Sequence, residues 1–315
     1  AVRLVAAIER RLGLKLEFMS LERHSIRAIS ARLQQHLDGH TFTGNALVVI
    51  KKGEPQNEPL VLVHPIGGDV YFYRELAQCL PAGQPVYAIR SPMLDAGASF
   101  DSIEAMAEAY VALLESQNIR PPYRLGGSSF GGIVAYQMAA VVKQRHGFAP
   151  ELVLIDSPAQ GNLPKPMNEL ETLEYLARYG LGELPFSQEK LSALPGLEEK
   201  IQYLAGCARG TAFEDMLSAE FLPRFIRTWQ RHGELMQRYE PAPYAGPLLF
   251  FSHQEAIAEF PTGQYSHWRK LALGPCQEIP VPGNHLSMNA MPNVAHIAAA
   301  LRTRSTLAAQ SKESA

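Results

Sequence analysis

The chain has 315 residues, of which 46% are hydrophobic and 19% charged, and its formal net charge is −2. This composition is typical of a globular protein with a large core and excludes a disordered chain. The near-neutral charge, without a long basic run, argues against nucleic acid and acidic membrane surfaces as partners.

The first 38 residues have the periodicity of two short helices. Val5, Ile8 and Leu12 fall on one face of the first helix, and the second is predicted from about Ser25 to Leu37. Two short helices cannot bury a core of their own, so we expect this segment to be the end of a domain that begins upstream.

The lack of a recognisable targeting pattern and the cysteine usage both lead us to expect a cytoplasmic protein. The N-terminus has charged residues too early for the apolar stretch of a signal peptide, and no apolar run approaches the ~20 residues of a membrane span. Cys79, Cys207 and Cys276 are far apart and odd in number, which fits neither a disulfide framework nor a metal site.

From Asn45 onward, short apolar runs alternate with helical patterns. The strand-like runs are followed by helices predicted at Tyr71–Leu80, at Asp101–Ser116 and from Phe130 onward, and the runs are "ALVVI", "PLVLV", "PVYAI", "YRL" and "LVLID". This alternation is the signature of a parallel sheet with crossover helices.

The alternation stops near Gly161, and until about Glu240 the sequence is helical only. Strand signals resume with "GPLLFFS" and "QEIPVP", and a last helix is predicted at Asn293–Leu301. An insertion of this length late in an α/β domain is typical of a lid over a site.

These patterns divide the chain into four segments. Residues 1–38 form an N-terminal helical fragment, and 39–58 are a linker and the first strand. Residues 59–302 form the α/β domain, with its helical lid at about 161–240, and 303–315 are a flexible tail.

A serine lies at a turn that is rich in glycine. Gly127-Ser128-Ser129-Phe130-Gly131 fits G-x-S-x-G, after a strand and before a long helix. In that context the motif is the nucleophile elbow of the α/β-hydrolase fold, a mostly parallel sheet with helices on both faces. Ser129 is the predicted nucleophile, because Ser128 is followed two residues later by phenylalanine rather than glycine.

A serine nucleophile requires a base and an orienting acid, in this fold in the chain order Ser, Asp or Glu, His. His285 follows a strand near the C-terminal end and is the predicted base, whereas His64 precedes the serine. Other histidines lie on apparent helices or loops away from strand ends, namely His24, His36, His40, His146, His232 and His267.

Two residues are candidates for the acid. Asp156 ends the strand that follows the serine's helix, and Glu255 follows the next core strand, where many hydrolases of this fold keep their acid. The pattern alone leaves both open.

The oxyanion hole requires two N–H donors. One should be the amide of Phe130, directly after the nucleophile. The other should come from the loop "HPIGG" after an earlier strand, where Ile66 is the candidate.

Residues ~45–302 resemble the thioesterase domains that end nonribosomal peptide and polyketide assembly lines. The resemblance rests, in this order, on "HPIGGDVYFYRELAQCL", "LGGSSFGGIVAYQMA", "LVLIDSP", "YEPAPYAGPLLFFS" and "VPGNHLSMN". It implies that the triad aspartate lies on the strand after the serine's helix, which favours Asp156 over Glu255. It also implies a helical lid at the insertion.

The N-terminal sequence "VRLVAAIERRLGLKLEFMSLERHSIRAISARL" resembles the last half of a phosphopantetheine carrier domain. The resemblance implies that residues 1–38 are the C-terminal fragment of such a domain and that the modified serine lies upstream of Ala1. It therefore implies a larger synthase with an upstream carrier domain as partner.

Together these features predict a thioesterase that accepts an acyl or peptidyl chain from a carrier's phosphopantetheine onto Ser129. Release would follow by hydrolysis or intramolecular cyclisation, with no metal or redox cofactor. The alternatives are an editing thioesterase, a generic serine esterase or lipase of the same fold, and a non-catalytic acyl-binding module.

Overall fold

The computed structural model describes five stretches of the chain, residues 46–95, 99–177, 186–210, 217–256 and 263–302. The predicted carrier-like fragment (1–38), the start of the linker and the tail (303–315) lie outside these residues. Within the described stretches, no helix combines the length and hydrophobicity that a bilayer crossing requires.

Seven strands form one sheet, and all neighbouring pairs are parallel except the first strand at the edge. The strands are β1 (Leu47–Lys51), β2 (Leu60–Val63), β3 (Val86–Ile89), β4 (Arg124–Ser128), β5 (Leu152–Ile155), β6 (Leu248–His253) and β7 (Cys276–Val281). Their order across the sheet is β1-β3-β2-β4-β5-β6-β7. The predicted strands are therefore confirmed, with ends that differ by a few residues.

Helices cover both faces of the sheet and fill its connections. They are α1 (Tyr73–Cys79), α2 (Ile103–Ser116), α3 (Phe130–His146), α4 (Glu169–Tyr175), α5 (Gln188–Ala193), α6 (Leu197–Ala208), α7 (Phe221–Arg238), α8 (Tyr265–Leu271) and α9 (294–302). Helices α4 to α7 all lie between β5 and β6, where the sequence predicts the helical insertion.

Two central strands, β2 and β5, are apolar throughout because they are buried on both faces. In β2, Val61 and Val63 pack in one core with α2 and α3, while Leu60 and Leu62 pack in the other with α1 and α9. Successive side chains point to opposite faces of a strand, so one short run supplies both cores.

Parallel strands bring their carboxyl ends to the same edge of the sheet, where ligands bind in open α/β folds. Ser129 follows β4, and Asp156 follows β5. His285 follows β7, and Ile66 follows β2. The topology therefore places the predicted site residues at one edge.

Candidate active site

Ser129 occupies a one-residue turn between β4 and α3. Its φ is 54° and its ψ −126°, a region that residues with a side chain rarely adopt. Such a residue costs about 1–3 kcal/mol and persists only where its surroundings fix it. Here the Ser129 amide donates to the Ile155 carbonyl at 2.9 Å. The turn thus holds the serine at the N-terminus of a helix, where the amides and the helix dipole favour negative charge.

The two motif glycines allow the chain to pass close to its neighbours at this turn. A Cβ on Gly127 would overlap the backbone of Gly131, and a Cβ on Gly131 would overlap the carbonyl oxygen of Val63. The strand, the turn and the first helical residues can therefore pack at this distance only without side chains at these two positions.

Asp156 and His285 are in direct contact. Oδ2 of Asp156 lies 2.5 Å from Nδ1 of His285, and the two residues are only 3% and 5% exposed. When the Nδ1–H donates to the carboxylate, the neutral ring carries its basic lone pair on Nε2. Asp156 itself has a φ of 45°, so the acid, like the serine, lies in a strained turn at a strand end.

The loop that carries His285 is fixed by its own hydrogen bonds. The side-chain oxygen of Asn284 accepts from the amides of Leu286 and Ser287 at 3.1 and 3.0 Å, and Asn289 donates to the His285 carbonyl at 3.2 Å. The ring is therefore presented from a rigid turn.

Of the two acids that the sequence pattern left open, Asp156 is the one in contact with His285. Glu255 is exposed in the loop after β6, and its amide donates to the Gly283 carbonyl at 3.0 Å. The geometry therefore favours Asp156, in agreement with the family resemblance.

His253 is a second histidine on the same carboxylate oxygen, and sequence reasoning missed it. Its Nδ1 lies 2.6 Å from Asp156 Oδ2, and its side chain is 1% exposed. Its Nε2 is buried without a hydrogen-bond partner among the described residues. The available signal was its position at the carboxyl end of β6, beside the strand that carries Asp156.

The two histidines hold Asp156 in its ionised form. Burial raises the pKa of Asp156, but the hydrogen bonds from His253 and His285 outweigh burial and keep the pKa below its ordinary value. An ionised carboxylate at this position can stabilise an imidazolium at His285.

The same three residues place their ligand atoms within 4.8 Å of one another, a spacing that a metal ion could use. The direct N···O contacts of 2.5 and 2.6 Å, however, leave no space for an ion between them. A zinc ion at ~2.0–2.1 Å from each ligand needs the ligand atoms further apart. The arrangement is therefore that of a hydrogen-bonded carboxylate rather than a metal centre.

A cavity of about 190 Å³ opens at the serine. Ser129 lines it together with Ile66 and Phe130, the two residues predicted to supply oxyanion donors. Trp229 and Met236 of α7 also line it. The structure thus brings Ile66, Phe130 and Ser129 to one surface.

His232 lies closer to this site than the sequence suggests. It is on α7, as predicted, but its ring stacks against those of His64 and Phe130 at centroid distances of 4.8 and 4.6 Å. The expectation that it lies away from the strand ends is therefore wrong. The reason is tertiary, since α7 folds back over the edge of the sheet.

Comparison with protein families gives one match over most of the chain. The model described as "Thioesterase domain" matches residues 58–304. A non-reducing polyketide synthase, crz7 of Cladonia metacorallifera, is 29% identical over 290 residues, which are 86% of this chain and 13% of that synthase. Aspulvinone E synthetase melA of Aspergillus terreus is 28% identical over 289 residues, 85% of this chain and 30% of the relative. The chain thus spans less than a third of either relative.

Comparison with solved structures supports the same fold. The Vlm2 thioesterase domain is 27% identical, with a TM-score of 0.60, covering 81% of this chain and 95% of that one. A four-domain nonribosomal peptide synthetase, holo-AB3403 bound to AMP and glycine, is 25% identical, with a TM-score of 0.69, covering 96% of this chain and 23% of that one. The predicted α/β-hydrolase fold is confirmed.

Proposed function

Because the chain belongs to the thioesterase domain family and is homologous to the chain-releasing domains of polyketide and nonribosomal peptide synthases, we propose that Ser129, Asp156 and His285 form its catalytic triad. The substrate is an acyl or peptidyl chain on the phosphopantetheine of an upstream carrier domain. The observation that carries the proposal is the 2.5 Å contact between Asp156 and His285 beside the strained turn of Ser129.

The first half-reaction transfers the chain to the enzyme. Nε2 of His285 accepts the hydroxyl proton of Ser129 as Oγ bonds to the thioester carbonyl carbon. The carbonyl oxygen becomes an anion and accepts hydrogen bonds from the amides of Ile66 and Phe130. The C–S bond then breaks, and the imidazolium gives its proton to the departing thiolate.

The second half-reaction releases the chain. Water, or a hydroxyl or amine on the acyl chain itself, attacks the ester carbon while His285 takes the proton of the attacking group. The bond to Oγ breaks, and Ser129 recovers a proton from His285. Water gives a free acid, whereas an internal nucleophile gives a macrocycle.

Asp156 supports both steps without changing its own protonation. Its carboxylate keeps the Nδ1–H tautomer of His285 and stabilises the imidazolium. All the proton transfers on the enzyme use Ser129 and His285, and the phosphopantetheine arrives with the substrate, so the chemistry requires no separate cofactor.

The test compares a long-chain acyl-pantetheine thioester with an oxygen ester of the same acyl group. We expect the wild-type protein to prefer the thioester, and Ser129→Ala to lose at least a thousandfold in kcat. Ser128→Ala is the matched control and should retain turnover. Mass spectrometry of the products distinguishes acid from macrocycle. Faster turnover of the oxygen ester would favour a generic esterase instead.

A further inference from the structure

Helix α7 is hydrogen-bonded to the loop that carries Ile66. Nδ1 of His232 lies 2.6 Å from the Ile66 carbonyl oxygen, and Nε2 lies 3.3 Å from Oγ of Ser91. The carbonyl can only accept, so Nδ1 carries the proton, and the Ser91 hydroxyl donates to Nε2. His232 is fully buried, and both of its ring nitrogens are thus committed.

The ring of His232 also contacts the two segments that are proposed to form the oxyanion hole. It is nearly parallel to the rings of His64 and Phe130, with interplanar angles of 20° and 16°. His64 begins the Ile66 loop, and Phe130 directly follows Ser129. One side chain of α7 therefore contacts both segments whose amides are proposed to bind the oxyanion.

Apolar contacts of α7 reinforce this link. A Cβ on Gly67 would lie 2.6 Å from the ring of Phe225, so the loop approaches the helix as closely as glycine permits. Phe225 and His232 are seven residues apart and therefore lie on the same face of α7. Gly233 faces Ile66, with its Cβ position 4.0 Å from Cδ1.

Burial keeps this cluster uncharged. It lowers the pKa of His232 to about 4 and that of His64 well below its ordinary value, and in His64 the neighbouring His232 and Arg90 act in the same direction. His64 is held in the same tautomer, since its Nδ1 lies 2.8 Å from the Pro65 carbonyl and its Nε2 2.8 Å from the Tyr110 hydroxyl. At neutral pH each uncharged ring can therefore stack, donate from Nδ1 and accept at Nε2.

We propose that His232, on α7, is a positioning residue for the oxyanion hole because it holds the Ile66 loop in place. Both oxyanion donors are then correctly placed only while α7 packs against this loop. The inference rests on the proposed function, because it concerns the same serine. It makes the insertion part of the catalytic apparatus as well as a wall of the cavity. Movement of α7 would loosen the Ile66 loop and lower transition-state stabilisation before it changed substrate binding.

The test measures kcat and KM on the acyl-pantetheine thioester, together with the Ki of a boronic acid that bears the same acyl chain. His232→Phe keeps an aromatic ring but removes the donor to Ile66. We expect kcat to fall ten- to a hundredfold with KM within about threefold, and Ki to rise in parallel with the loss of kcat. His232→Asn restores an N–H near Nδ1 and should recover part of the loss. Arg227→Ala, at an exposed position on α7, is the control and should leave both constants unchanged.

Hydrogen exchange provides a readout that does not depend on turnover. In His232→Phe the amides of residues 66–70 should exchange faster, while those of β4 and β5 remain protected. If His232→Phe does not fold, Ser91→Ala tests the same link, because it removes the hydroxyl that anchors Nε2 and leaves the ring held only through Nδ1.

Wild-type kcat and unchanged exchange in a folded His232→Phe would overturn the proposal, as would an effect on KM alone. A wild-type protein whose Ser129 does not react with a fluorophosphonate would contradict the proposed function instead. The exchange comparison would then decide the positioning role by itself.

Discussion

Nδ1 of His253 lies 2.6 Å from Oδ2 of Asp156, the same oxygen that His285 contacts at 2.5 Å. One carboxylate oxygen thus joins the end of β6 to the loop after β7. A buried carboxylate with two N–H donors is held in both position and charge.

His253 should therefore contribute to catalysis without touching the substrate. His253→Leu removes one of the two donors, and we expect kcat/KM to fall about tenfold, the size of one hydrogen bond to a charged group. His253→Asn retains an N–H near Nδ1 and should remain within about threefold of wild type. Steady-state kinetics with a melting curve for each variant makes the comparison. Equal losses in both variants would assign His253 a packing role only.

The glycine of the elbow should be far less tolerant of substitution than a glycine in the insertion. Gly131→Ala places a methyl group against the Val63 carbonyl oxygen, so we expect the free energy of unfolding to fall by about 1–3 kcal/mol. Gly206→Ala is the matched control, because this exposed position in α6 has open space for a Cβ, and it should stabilise the helix by up to about 1 kcal/mol. Urea unfolding of both variants measures the difference. Equal stability of the two variants would contradict the close packing at the elbow.

Stability should depend on pH through the buried histidines. The pKa of His232 is about 4 in the folded protein and 6.5 in an exposed imidazole, so between these values the unfolded chain binds more protons. The stabilisation is therefore complete above pH 6.5 and is lost as the pH falls towards 4, by roughly 3 kcal/mol for this residue alone. Asp156 acts at lower pH. Because its pKa is lowered in the folded protein, its contribution to stability is complete above its ordinary pKa of 3.8 and is lost only as the pH falls below that value.

Urea unfolding between pH 7.5 and pH 5 checks this prediction. The free energy of unfolding of the wild-type protein should fall over this range, and His232→Phe should show a smaller fall, because one titrating group is gone. The groups that face His232, namely His64 with the nearby Arg90 and Tyr110, remain in both proteins. Equal slopes for the two proteins would contradict a neutral, buried His232.

The sequence predicts the sheet well because two of its central strands, β2 and β5, are continuous apolar runs. "LVLV" and "LVLI" are buried on both faces, and no other arrangement satisfies such runs between helical patterns so directly. The elbow is predictable for a related reason, since the glycines at 127 and 131 record a backbone approach that a side chain would block.

The contacts of His253 and His232 could not be predicted in the same way. His253 ends a strand as an ordinary buried residue would, and only the parallel pairing of β5 with β6 brings it to Asp156. His232 is one polar residue in an amphipathic helix, and its partner Ile66 is 166 residues away. Local periodicity contains no information on which turn of an inserted helix meets which loop. The choice between Asp156 and Glu255 also required the fold or the family resemblance.

Peptide mapping by mass spectrometry, after reaction with an acyl-pantetheine thioester or a fluorophosphonate, identifies the nucleophile itself. We expect an adduct on Ser129 in the wild-type protein and in Ser128→Ala, and none in Ser129→Ala. His285→Ala should slow the labelling by several orders of magnitude. An adduct on Ser128, or a folded wild-type protein that neither reagent labels, would contradict the assignment of Ser129 as the nucleophile.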